Sequence, residues 1–142
     1  EIAQCLVGSE MCIRDSYGTD LIDRGYGYQQ DFLSTVAPPL PGFDIVTNPP
    51  YSYAAEFVDH AMDIIEDGRK VCMFLKIQFL EGVKRRKLFE KWPPKVIYVS
   101  SSRMRCAMNG DFEKYAKSNA ICYAWYVWEK GYTGETTLRW MN

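Results

Sequence analysis

The chain has one histidine and no paired cysteines. His60 has no Cys or His close to it in sequence, so it makes a poor metal site, and no metal is expected. The five cysteines, Cys5, Cys12, Cys72, Cys106 and Cys122, form no CxxC pair. Their odd number argues against a closed disulfide framework. Cys72 and Cys122 fall inside apolar, strand-like runs, where buried free thiols are expected. Cysteine usage of this kind points to the cytoplasm. No apolar run is long enough to cross a bilayer. The start lacks the basic segment and apolar run of a secretory signal. Internal repeats and low-complexity tracts are also missing. Positive charge is scarce early on: residues 1–68 hold only Arg14 and Arg24 against twelve acids.

What is present is apolar and aromatic. The 142 residues suit a single domain, and 47% apolar content is enough for one core. Aromatic residues make up 15%, with ten tyrosines and four tryptophans, which suggests stacking surfaces as well as core packing. The cations lie late: residues 69–117 carry thirteen Lys and Arg against four acids. A basic half suits a polyanion, though basic helices are also often plain solvated surface. The aromatic content favours nucleic acid.

Along the chain, strands alternate with helices. Residues 1–16 show neither period. The stretch CLVGSEMCIRDS, from Cys5 to Ser16, resembles the translation of a sequencing adapter, so 1–16 is expected to be a non-native leader and 17–142 the domain. Tyr17 to Asp20 reads as the end of a strand. Asp31-Phe32-Leu33 is a short apolar anchor, and residues 38–42 form a rigid turn. Phe43 to Thr47 is a strand. Ala54 to Ile65 is an amphipathic helix with Phe57, Val58, Ala61, Met62 and Ile65 on one face. Lys70 to Ile77 reads as a strand buried on both faces. Glu81 to Lys91 is a charged helix, and Lys95 to Ser100 another strand. Ile121 to Trp128 and Thr136 to Trp140, joined through Gly131 and Gly134, read as a closing antiparallel hairpin. The pattern predicts an α/β fold.

Ligands in such sheets bind beyond the carboxyl ends of the strands. Three elements fall there: Asp20, Asp31-Phe32, and Asn48-Pro49-Pro50-Tyr51. Strand-terminal Asp residues are often only caps. Asn before Pro is an ordinary turn, but a proline pair followed by an aromatic is more specific.

The ordered set resembles class I S-adenosylmethionine-dependent methyltransferases, and within them the phage-type DNA adenine-N6 enzymes. The resemblance runs from Tyr17 to the end and includes Asp20 to Gly25, Gln30 to Leu33, Asn48 to Tyr51, Gln78 to Gly82, and Ala124 to Trp128. It implies a Rossmann-like, mostly parallel sheet and methyl transfer to the amino group of a flipped adenine in DNA. On this sequence it assigns the amino-group contacts to Asn48 and Pro49, loop rigidity to Pro50 and base stacking to Tyr51. Asp20 takes the cofactor ribose, and Asp31 and Phe32 its adenine. Lys84, Arg85, Arg86, Lys87, Arg103 and Arg105, within 84–119, are the expected DNA-phosphate contacts. The Asn-Pro-Pro-Tyr element is shared with enzymes acting on RNA adenine or protein glutamine. A catalytically inactive nucleic-acid-binding module is a further alternative.

The family's first strand and glycine-rich loop have no counterpart here, and Gly8 is a poor substitute, so the chain is expected to be an amino-truncated fragment. Loss of that strand leaves a gap or an exposed edge beside the Asn48 strand. The expected result is weak or absent binding of S-adenosylmethionine to the 142-residue chain, and low stability. Titration calorimetry checks this: a low-micromolar dissociation constant overturns it.

Overall fold

The computed structural model describes residues 17–23, 25, 27–37, 41–102 and 121–141. Residues 1–16, expected to be a leader, part of the expected 38–42 turn, and Arg103 and Arg105 lie outside the described residues. The architecture is α/β. The strands are β1 (Thr19–Asp20), β2 (Tyr28–Gln29), β3 (Ile45–Thr47), β4 (Lys70–Lys76), β5 (Val96–Ser100), β6 (Tyr123–Glu129) and β7 (Thr137–Met141). Helix α1 (Ala54–Ile64) follows β3, and α2 (Val83–Lys91) follows β4.

Strands β3 to β7 form one sheet in the order β3-β4-β6-β5-β7. Four of them run the same way, and β6 runs against them. The expected closing hairpin is therefore corrected: β6 and β7 are not neighbours. The reason is that both edges of β6 are taken, by β4 along its whole length and by β5 from Ala124 to Val127. Strand β7 passes β5 and pairs with its outer edge in parallel. Residues 130–136 make that passage of two strand spacings, roughly 10 Å, which a two-residue turn cannot span. Strands β1 and β2 pair in parallel as a separate ribbon. Among the described residues, β3 is an edge strand, with Val46 43% exposed.

Side-chain alternation gives the sheet two unlike faces. One carries Val71, Met73 and Leu75 of β4, Ile97 of β5, and Ala124, Tyr126 and Trp128 of β6, all buried. Helix α1 packs on it through Val58, Ala61 and Met62, with Ile65 at its end, as its period predicts. Each large side chain buried there contributes about 1.5–3 kcal/mol. Trp128 is fully buried and donates its Nε1 hydrogen to the Trp92 carbonyl at 3.0 Å. The other face carries Cys72, Phe74 and Lys76 opposite Val127, Trp125 and Tyr123. Here β4 departs from burial on both faces: Phe74 is buried, but Cys72 and Lys76 are only half-buried. Cys72 and Cys122, expected to be buried, are both half-exposed free thiols. Burial still pushes the Cys72 thiol up, and the Asp44 charge adds to it.

One polar cluster ties the two helices together. Asp59 on α1 accepts from Lys91 Nζ at 2.6 Å and from Trp92 Nε1 at 2.8 Å. The Lys91 hydrogen bond holds the Asp59 carboxyl below the usual carboxylate range. Stability from a depressed carboxylate is present above its unfolded pKa, roughly 3.9, and is lost as pH falls through the folded value. Asp59→Asn is expected to lower Tm by a few degrees at neutral pH, a modest effect because the pair is solvent-exposed. Melting curves across pH check this, and the gap between variant and parent should close in acid.

Candidate functional site

The short strand β3 runs straight into Asn48. Two prolines follow, and their rings remove two backbone donors from a stretch where Pro49 is fully buried. Pro50 is extended, and its carbonyl accepts the Tyr53 N–H at 2.9 Å, closing a 3-10 turn over Tyr51–Tyr53. Helix α1 starts at once with Ala54, which is 1% exposed and anchors the loop to the core. The loop is thus held by proline below and helix above.

Asn48 Oδ1 is buried and has no hydrogen-bond partner among the described residues. Leaving an acceptor so costs about 1–3 kcal/mol. The site is short of a donor, and a primary amine supplies one.

The wall beside this loop is aromatic. Tyr51 stays 39% exposed, and Lys76 Nζ lies over its ring at 4.7 Å from the centroid. Tyr51 and Tyr123 are 6.1 Å apart between centroids, and Phe74 stacks on Tyr123 at 5.2 Å. Trp125 lies 5.2 Å from Phe74. All sit toward the carboxyl end of β3 and β4, which run in parallel. That end of β4 is pinned. The Tyr126 hydroxyl donates toward the carbonyls of Lys76 at 3.2 Å and Ile77 at 3.3 Å, and Ile77 N–H donates to Cys122 at 2.9 Å. Burial pushes the Tyr126 phenol well above its ordinary value, so it remains a donor.

The other predicted site residues are divided. Ribbon β1–β2 brings Asp20 and Asp31 together: Gln30 N–H donates to the Asp20 carbonyl at 2.8 Å. Both carboxylates cap their own turns, Asp20 accepting from Ile22 N–H at 3.1 Å and Asp31 from Leu33 N–H at 3.0 Å. Asp31 also takes the Ser34 hydroxyl at 2.9 Å. The apolar anchor is a 3-10 turn, Phe32–Ser34. Phe32 stacks on Phe57 at 5.0 Å and meets His60 edge-on at 5.2 Å, which docks the ribbon on α1. Phe57 and His60 lie in the first two turns of α1, within about 10 Å of the Asn48 loop along the axis.

Helix α2 places its cations at the same end, because it starts just after β4. Gly82, at φ +117°, makes the bend that starts it. Arg85 turns back, donating to the Gln78 carbonyl at 2.8 Å with its guanidinium over Phe79. Arg86 pairs with Glu90 at 2.8 Å. Lys84 and Lys87 are exposed and unpaired among the described residues. Cations near a helix amino end oppose the macrodipole, so this placement is not the cheapest solvated surface. Sequence reasoning missed Lys76, Phe74 and Tyr123 as site residues. The one signal for Lys76 is a lysine closing the apolar run Val71 to Leu75.

Among the described residues, no three His, Cys, Asp or Glu side chains converge, and no helix is long and apolar enough to cross a membrane. No family model matches the chain, and no curated protein does. The chain is similar in structure to a predicted O-methyltransferase, protein Atu636 from Agrobacterium tumefaciens, at 14% identity and a TM-score of 0.48. The match covers 68% of this chain and 40% of that one. At that identity and score the likeness bears on no functional question.

Tyr126→Phe removes the donor that pins β4 while keeping the ring. It should cost about 0.5–1.5 kcal/mol of unfolding free energy, the net worth of a hydrogen bond, because the Lys76 and Ile77 carbonyls are part-buried. Denaturant titration at constant m-value measures it.

Proposed function

We propose that the chain transfers a methyl group from S-adenosylmethionine to the exocyclic amino group of adenine in DNA. The observation that carries this reading is the buried Asn48 Oδ1, unpartnered among the described residues, in a proline-stiffened loop beside a half-exposed tyrosine.

An adenine amino group is a weak nucleophile because its lone pair is delocalised into the ring. It needs a changed geometry more than a strong base. Asn48 Oδ1 accepts one of its hydrogens and the Pro49 carbonyl the other. The nitrogen is drawn toward tetrahedral geometry and its lone pair is aimed. This is catalysis by positioning and preorganised dipoles. The rigid loop keeps both acceptors in place with no reorganisation during the reaction. Tyr51 stacks on the base, returning roughly 1–3 kcal/mol against the few kcal/mol spent on unstacking it from a duplex. Lys84 and Lys87 hold backbone phosphates without reading sequence.

S-adenosylmethionine, when bound, supplies an electrophilic methyl on a sulfonium. Asp20, Asp31 and Phe32 fit it chemically. An ionised carboxylate has about four lone-pair sites, so Asp31 keeps acceptor capacity for an amino group beyond its two turn contacts. Asp20, on the adjoining strand, accepts from the ribose hydroxyls. Phe32 offers its ring beside Asp31, although Phe57 already takes one face.

The chain is incubated with unmethylated DNA and excess S-adenosylmethionine, and N6-methyladenine is quantified by mass spectrometry after digestion. Because binding of S-adenosylmethionine by this chain is expected to be weak, product is expected only slowly and at saturating cofactor, and Asn48→Ala should lower that rate about 10²–10³-fold, the usual scale for one preorganised group. The same variant should melt no lower than the parent, since it deletes an unsatisfied acceptor. Methylation of RNA or of a glutamine peptide, with none of DNA, overturns the DNA reading.

A further inference from the structure

The carboxyl end of β4 holds a cation that the methyl-transfer chemistry above leaves unused. Lys76 follows five apolar residues and is half-buried, with its ammonium over Tyr51. No carboxylate pairs with it among the described residues. Two other lysines that border the sheet and helices are paired, Lys91 with Asp59 and Lys95 with Glu129, both at 2.6 Å. A cation over a ring gains little in water, so the tyrosine is a poor substitute for a counter-ion.

Its surroundings explain why it stays. The backbone beneath Lys76 is fixed by the Tyr126 hydroxyl and by the Ile77 to Cys122 hydrogen bond. On its own face Lys76 stands opposite Tyr123 and two residues from Phe74, so its stem runs along aromatic surface. Such a stem is oriented while the charged head remains free to reach outward. A lysine ammonium presents three donors and no acceptor, so among the described residues it is short of an anion. It lacks that anion beside the ring on which a base would stack.

We propose that Lys76 binds the phosphodiester group adjoining the base stacked on Tyr51. The site then takes a nucleotide within a strand, and a free nucleobase or a peptide side chain leaves Lys76 unsatisfied. The proposal rests on the adenine reading in one respect only, that a base occupies Tyr51. Lys76 is a positioning residue: it holds the strand so that the amino group meets Asn48.

The test is binding, measured separately from methyl transfer. Fluorescence anisotropy follows the full chain on single-stranded oligothymidylate carrying one adenine, which removes the flipping cost. Two further oligonucleotides carry a neutral methylphosphonate immediately 5′ or 3′ of that adenine. For the parent, one of the two is expected to bind about five- to tenfold more weakly than the native oligonucleotide. Lys76→Gln should show the same loss on the native oligonucleotide and no added loss on that methylphosphonate. Its slope of log affinity against log salt should fall by about 0.7, the value for one phosphate on a single strand. Lys76→Arg keeps the charge and should retain the methylphosphonate effect, which separates lost contact from lost folding. Additive losses in Lys76→Gln, or an unchanged salt slope, overturn the proposal. If coupling appears but no N6-methyladenine forms, the phosphate contact stands and the methyl-transfer reading falls. If methyladenine forms without coupling, the reverse holds.

Discussion

The register between β4 and β6 is the constraint on which the rest of the molecule depends. It sets Met73 opposite Tyr126 and Phe74 opposite Trp125. A slip of one residue sends every side chain of β4 to the other face. Lys76 and Phe74 would then enter the core, and Met73 and Leu75 would meet water. The core and the site are therefore two faces of one pairing. The core face specifies it by burying Tyr126 and Trp128 completely, rings stacked at 5.7 Å. The Tyr126 hydroxyl then reaches the end of β4 and fixes the backbone that the other face uses. Strand β6 can do this only because it lies between β4 and β5, with neither edge free.

Against that well-satisfied core, two local features work against stability. Asn48 keeps a buried acceptor without a donor, and α2 opens with four consecutive cations and no acid in its first turn. Natural chains break such rules mostly where function requires it. Both features lie at one end of the sheet, since β3 ends there and α2 begins there. On the proposed reading, the unsatisfied acceptor and the unpaired lysines are complementary to the same kind of molecule, one that carries donors on a base and negative charge on a backbone. Neither feature alone separates function from chance. Their shared location makes a joint cause the simpler account.

Much of this was legible in the sequence, for reasons that can be named. Helix α1 is clear because Val58, Ala61, Met62 and Ile65 recur at the helical period and Gly68 follows. Strand β4 is clear because Val71 to Leu75 is apolar and of strand length. The Asn48 loop stood out because two prolines and an aromatic have few other uses after a strand. The hairpin misled because Gly131 and Gly134 punctuate residues 130–136 as a turn does, while strand order depends on which edges are already filled. That is a property of the whole sheet. Half-burial of Cys72 was hidden for a similar reason: an apolar run does not say what covers its second face. Lys76 gave almost no signal, since a lysine ending a strand is what any edge of a sheet looks like until Tyr51 is placed beneath it.

The choice of acceptor narrows the chemistry further. The amide oxygen of Asn48 can align an amine without removing its proton, and it brings no charge into a buried position. A buried carboxylate costs several kcal/mol in desolvation, against about 1–3 kcal/mol for an unsatisfied amide oxygen. The His60 ring is packed edge-on against Phe32. Its buried Nε2 also lacks a partner among the described residues. A site with acceptors, a stacking ring and, among the described residues, no base hydrogen-bonded into it suits a nucleophile that loses its proton only after the new bond has made it acidic. An amino group attacking a sulfonium methyl is such a nucleophile. The hydroxyl of an O-methylation substrate differs: it gains more from a base that takes the proton as the bond forms. On the proposed reading, the arrangement of Asn48, Tyr51 and the surrounding apolar wall suits nitrogen better than oxygen as the atom that accepts the methyl group.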